Sequence, residues 1–310
     1  MSELRDGRLL TAEQFEKLRD TRAHRPEDVR AALRSRRRRD SLLADDGRLF
    51  IVAADHPARG ALGVRNDRMA MADRYDLLDR LALALSRPGV DGVLATPDIV
   101  DDLAALGVLD DKIVVGSMNR GGLSGAAFEM DDRFTAYDID SIVRDGLDFA
   151  KTLLRIDLED AGSVATLEAT ARAVDEAALA RVPIMLEPFL SVRSNGRVLN
   201  DLATEAVIRS ISVASGLGNS SAYTWMKLPV VEEMERVMAS TTMPTLLLGG
   251  DPQGEPDATF SKWQNALALP GVRGLVVGRT LVYPPDGDVA SAVDQAAQLV
   301  HGPALSPALS

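Results

Sequence analysis

From residue 48 onward the chain alternates short apolar runs with longer amphipathic stretches, and few folds accept that alternation. The runs are Leu49–Ala54, Gly92–Thr96, Lys112–Ser117, Lys151–Ile156, Pro183–Glu187, Tyr223–Leu228, Pro244–Gly249 and Gly274–Gly278. They read as strands, and the segments 70–86, 138–148, 163–180, 200–215, 230–240 and 258–268 read as helices between them. Eight such units predict an α/β fold, a single closed (β/α)8 TIM barrel over residues 48–301. A doubly wound sheet would show fewer units and a GxGxxG turn after an early strand, and this chain has no such turn.

The first 47 residues read as a helical extension. Thr11 and Gln14 have capping-box spacing, and Pro26 followed by Glu27 and Asp28 suits a second helix start. The basic run Arg34–Arg39 is expected to be a solvated face near that helix's C-terminus, where cations are favoured. Residues 302–310, broken by Gly302, Pro303 and Pro307, are expected to form a disordered tail.

Composition narrows the chemistry. A net charge of -11 argues against nucleic acid and against an anionic membrane surface as partners. Cysteine is absent, which removes disulfides and thiol catalysis. Histidine occurs only at positions 24, 56 and 301, too sparsely for a zinc centre, while a Mg²⁺ site built from carboxylates stays open. With no long apolar span and no signal-peptide core, a cytoplasmic location is expected.

A barrel of this kind places its active site at the C-terminal ends of the strands. The first run ends in Asp55-His56-Pro57-Ala58-Arg59, the second in Thr96-Pro97-Asp98 and the third in Asn119-Arg120. The fourth offers Lys151, Arg155 and Asp157, the fifth Glu187 and the sixth Lys227. The seventh gives Gly249-Gly250-Asp251 and the eighth Gly278-Arg279-Thr280. A lysine inside an apolar run of a chain with few lysines is the sharpest of these signals. Desolvation disfavours the ammonium and favours the neutral amine that attacks ketones. The plainer alternative is a strand-end lysine reaching out to water.

Burial of Glu187 at a strand end is expected to raise its pKa and make it a proton carrier, with a structural salt bridge as the alternative. Asp55 carries the same pair of readings. Lys151 or Arg155 could supply a cation beside Lys227, although Lys151 and Asp157 are too far apart along a strand, about 20 Å, to share one level. The glycines Gly249, Gly250 and Gly278 would let backbone amides approach an anion, and Arg279 adds a fork for phosphate oxygens; an ordinary turn is the alternative for the glycines. His56 binds substrate or holds its own loop. Trp225 reads as barrel packing.

Taken in order, Ala53–Gly60, Ala150–Asp157, Leu186-Glu187, Lys227 and Val277–Arg279 resemble motifs of the class I, Schiff-base aldolases. The resemblance is to the superfamily that holds tagatose-bisphosphate aldolase and deoxyribose-phosphate aldolase, and it runs from about residue 48 to residue 283. Within it the chain is most similar to an actinobacterial (β/α)8 subfamily associated with inositol catabolism, which suggests 5-dehydro-2-deoxyphosphogluconate as a substrate. The resemblance implies a metal-independent carbon–carbon lyase of carbohydrate metabolism. It would cleave a phosphorylated keto sugar or keto acid through a lysine imine, with no other cofactor. Lys227, Glu187, Asp55 and Lys151 would be catalytic. His56, Arg59, Arg155, Gly249, Gly250, Gly278 and Arg279 would bind substrate or its phosphate. The expected partner is a small phosphorylated molecule, and a homo-oligomer is expected. Two alternatives stay open: other imine chemistry on the same barrel, transaldolase-like or thiolase-like transfer, and a barrel that binds a sugar phosphate without turning it over.

Overall fold

The computed structural model describes residues 8–119, 122–249 and 256–302. The strands are β1 (Leu49–Ala53), β2 (Gly92–Ala95), β3 (Ile113–Ser117), β4 (Phe149–Ile156), β5 (Ile184–Ser194), β6 (Arg197–Asn200), β7 (Thr224–Pro229), β8 (Thr245–Leu248) and β9 (Val272–Val277). All except β6 pair in parallel, in the order β4-β3-β2-β1-β9-β8-β7-β5, and a β4–β5 pairing closes the ring. The expected eight-stranded barrel is therefore present, wrapped by helices.

Alternation along each strand divides the apolar residues into two layers. One set, with Ile51, Leu94, Val115, Phe149, Met185 and Trp225, fills the barrel interior. The other, with Phe50, Val52, Ala150, Leu154, Met226 and Leu228, packs against the helices. Trp225 meets Phe149 edge-on at 5.3 Å between ring centres, which is the packing role expected for it.

Helix α1 (Ala12–His24) starts at the capping box of Thr11 and Gln14, and α2 (Pro26–Ser35) carries Pro26 in its first turn. Both lie against the barrel's outer layer, formed here by α3 (Arg74–Ser86) and α4 (Pro97–Ala105). Phe15 contacts Tyr75 at 4.7 Å, the Leu10 amide donates to Asp79 Oδ1 at 2.7 Å, and Arg22 pairs with Asp102 at 2.5 Å.

Two expectations change. The basic run is a solvated helix face only at Arg34, because α2 stops at Ser35 and Arg36–Arg39 continue in non-helical backbone beneath the barrel. There Arg36 and Arg38 both grip Asp148, at 3.1 and 2.8 Å, and Arg39 grips Asp91 at 2.6 Å. Buried carboxylates ahead of the strands need partners, and the run supplies them. Leu42 and Leu43 follow and pack against the interior cluster from that end.

The fifth strand is also longer than its apolar run. It continues to Ser194, turns through Asn195 (φ 50) and Gly196 (φ 74), and returns as β6, antiparallel to it. Asn-Gly with both residues at positive φ is the two-residue hairpin turn, so residues 197–200 are strand and the next helix begins only at Thr204. Of the expected tail, residues 303–310 lie outside the described residues. No described helix is long and apolar enough to cross a membrane.

Candidate active site

Three strands bring one carboxylate and two lysines together. Inward-facing positions of β4 run Phe149, Lys151, Leu153, Arg155, and those of β5 run Met185, Glu187, Phe189. On β7 they are Trp225 and Lys227, so Lys227 rises from the aromatic floor of the barrel. Its Nζ donates to Glu187 Oε1 at 3.0 Å. Lys151 Nζ stands 2.5 Å from the other oxygen of Glu187 and 3.1 Å from Asp55 Oδ2. Ser117 Oγ, at the end of β3, also donates to Asp55 Oδ2, at 3.3 Å.

The position of Lys151 follows from strand stagger. It is only the third residue of β4, yet it pairs in register with Ser117, the last residue of β3. A barrel's strands are offset around the ring, so an early residue of one strand shares a level with the end of its neighbour. Lys151 therefore lies beneath the cavity, 1% exposed, and reaches the site from below. Asp157 belongs to the loop beyond β4, where it accepts the amides of Glu159 and Arg193.

Glu187 departs from expectation. Burial alone would raise its pKa, but the ammonium groups of Lys151 and Lys227 outweigh burial and hold it well below the usual carboxylate range. It is ionised in the free protein and acts first as an acceptor. Which cation accompanies Lys227 is also settled: Lys151 shares Glu187 with it, whereas Arg155 turns to Glu129 and Asp132.

Above these groups opens a cavity of about 500 Å³. Lys227, Glu187 and Asp55 line it where the strands end, Leu153, Phe189 and Leu248 give it an apolar side, and the hairpin residues Val198–Asn200 also line it. His56 lines it with 33% of its side chain exposed, its Nδ1 3.5 Å from Asp55 Oδ1. The enclosed surroundings, and then the charges of Arg279 and Lys227, push His56 well below the ordinary histidine value, so it is neutral.

Gly249, Gly278 and Arg279 line the side formed by β8 and β9, while Gly250 lies outside the described residues. Gly278 has a structural duty besides: a Cβ there would stand 2.3 Å from the carbonyl oxygen of Ala53. Arg59 and Arg155 line the opposite side, and both donate to Glu129 Oε1, at 3.2 and 2.8 Å. Ser117 and Glu129 were not singled out in the sequence. The parity of β3 (Ile113, Val115, Ser117) could have found the first, but Glu129 sits in a loop without periodicity. Among the described residues no three His, Asp or Glu side chains cluster as a metal site.

The fold recurs in known structures. An archaeal fructose-1,6-bisphosphate aldolase, with its catalytic lysine bound to the carbinolamine intermediate of the substrate, superposes with a TM-score of 0.62. The match covers 84% of this chain and 97% of that one at 19% identity. The fructose-bisphosphate aldolase of Slackia heliotrinireducens superposes at 0.59, with 14% identity over 97% and 96% of the two chains. At such identities the likeness is one of fold. No curated protein sequence matches the chain. The crystal structure of Cgl0159 from Corynebacterium glutamicum is far nearer, at 69% identity and a TM-score of 0.93 over 95% of this chain and 99% of that one. A family model described as Cgl0159-like matches residues 47–297, and the chain belongs to that family.

Proposed function

We propose that this barrel is a class I aldolase that cleaves a phosphorylated keto sugar or keto acid through an imine on Lys227. The observation that carries the reading is the 3.0 Å contact between Lys227 Nζ and Glu187, both lining a cavity at the barrel mouth. An amine and a carboxylate at that distance can exchange the protons that imine formation requires. The fold shared with the archaeal aldolase, whose lysine carries its substrate covalently, supports it.

The proton inventory closes on these residues. Glu187 takes a proton from the Lys227 ammonium, and the freed amine adds to the substrate ketone. Glu187 then returns that proton to the carbinolamine hydroxyl, which leaves as water, so ketone plus ammonium becomes protonated imine plus water. The imine accepts the electron pair when Asp55 takes the proton of the β-hydroxyl and the carbon–carbon bond breaks, which releases an aldehyde and leaves an enamine on Lys227. Asp55 also orients that hydroxyl, and Lys151, pairing with both carboxylates, keeps them aligned. Gly249, Gly278 and Arg279 hold the phosphate, where barrels commonly bind one.

The test is borohydride reduction in the presence of dihydroxyacetone phosphate and a panel of phosphorylated ketoses that includes 5-dehydro-2-deoxyphosphogluconate. Peptide mass mapping should find the reduced adduct on Lys227, and the adduct's mass names the carbonyl fragment. An unmodified Lys227 across the whole panel would overturn the reading.

A further inference from the structure

Glu129 lies in the connection between β3 and β4, and that connection is fastened through it. Its Oε1 accepts Arg155 Nη1 at 2.8 Å and Arg59 Nη2 at 3.2 Å. Its Oε2 accepts the Gly125 amide at 2.8 Å, and its carbonyl accepts Arg155 Nη2 at 2.7 Å. One carboxylate thus ties together the turn after β1, the end of β4 and its own loop. The tie is doubled by the Ser124 amide, which donates to the Arg59 carbonyl at 2.9 Å.

The two arginines differ in what they have left to offer. Arg155 is enclosed, with a side chain 4% exposed, and its fork is divided between Glu129 and Asp132. Arg59 donates Nε to the Gly122 carbonyl at 3.1 Å, holds Glu129 by one longer contact, and keeps 14% of its side chain exposed on the cavity wall. Glu187 is also close enough to act on the Arg59 guanidinium. Without Glu129, Arg59 would be drawn toward Glu187 and would compete with the two lysines for that carboxylate.

We propose that Glu129 is a positioning residue, which uses Arg155 as a fixed anchor and holds Arg59 as a hydrogen-bond fork facing the substrate. A guanidinium fork suits two neighbouring oxygens, as in adjacent hydroxyls or an oxyanion. Glu129 thereby sets how tightly the oxygen-rich part of the substrate is held, and leaves the bond-making at Lys227 to other groups.

The proposal rests on the imine reading, and a double-mutant cycle keeps the two apart. If the wild-type chain forms no borohydride adduct with any ketose of the panel, that reading fails and takes this one with it. If it does, the ketose giving the adduct becomes the probe. Glu129→Gln is expected to raise its half-saturating concentration about 10- to 100-fold, the size of a lost charge-assisted hydrogen bond. The adduct should still form on Lys227 at a nearly unchanged saturating rate. In an Arg59→Ala background the same substitution should add almost nothing. Penalties that multiply across the two positions, or a saturating rate that collapses while half-saturation stays put, would overturn the proposal. Should Glu129→Gln fail to fold, Glu129→Asp keeps the charge and withdraws it by one methylene; the same cycle with a smaller shift is then expected, and multiplied penalties overturn it equally.

Discussion

The two ends of the barrel are built from the same pairing of carboxylate with cation, but they use different cations. Beneath the strands, Asp145 is held by Arg30, Arg34 and Arg144, Asp148 by Arg36 and Arg38, and Asp91 by Arg39. At the mouth, Asp55 and Glu187 are held by lysines. Arginine stays charged at any pH the protein meets and its planar fork fixes geometry; lysine can surrender its proton and attack. The chain has five lysines among its 35 basic residues, and two of the five meet on Glu187. The mouth carboxylate held by two arginines, Glu129, belongs to the wall. Fixed charge serves architecture here, and movable charge serves chemistry.

The comparison breaks most severely at Lys227. Lys227→Ala should abolish the borohydride adduct and turnover while thermal unfolding still shows a folded barrel, since the other amine, Lys151, is buried beneath the cavity and held by Asp55 and Glu187. Lys151→Arg comes next, because it converts the mouth to the chemistry of the base. Little adduct should form with any ketose of the panel, and a rate near that of the wild type would mean that the kind of cation is immaterial. Glu187→Gln should slow adduct formation by about 10²–10⁴-fold, the usual worth of general acid–base help, and leave a measurable remainder on Lys227.

At the other end the effect should fall on stability. Asp148→Asn leaves Arg36 buried without its carboxylate, at a cost of about 3 kcal/mol or more. Denaturant titration should register it, with adduct yield on the surviving folded protein unchanged. The smallest effect concerns His301, whose ring lies between Asp46, at 2.7 Å, and Asp91, at 3.1 Å. Burial alone would lower its pKa, but the two carboxylates outweigh it and the pKa is raised. A raised value in the folded state means that its contribution is complete below the ordinary histidine pKa, about 6.5, and is lost as pH climbs through the raised one. His301→Gln should flatten that part of the stability profile; an unaltered profile would show that the ring contributes no such dependence.

Much of this was legible in the sequence because the relevant signals are local. Strands buried on both faces read as apolar runs, which is why eight of them could be counted without coordinates. Lys227 stood out because a charge inside such a run is costly. The hairpin after β5 was equally local, written in Asn195-Gly196, and a search for turn dipeptides would have found it. The other departures depend on residues brought together from afar. Burial suggested a protonated Glu187, and only the arrival of lysines from β4 and β7 reverses the sign. Arg36–Arg39 look like a solvated face until Asp91 and Asp148, far along the chain, are placed above them. Arg155 had a plausible partner in Lys227 until Glu129 claimed it.

The stagger that sets Ser117 opposite Lys151 makes the double-lysine arrangement an all-or-none property of the ring's shear. Deleting one residue early in β4 would swing Lys151 out among the aliphatic side chains beneath the helices and put Thr152 over the barrel axis in its place. Point substitutions can weaken such a centre by degrees, but a single-residue indel deletes it at once. The floor of this barrel is accordingly far less forgiving of length than of composition.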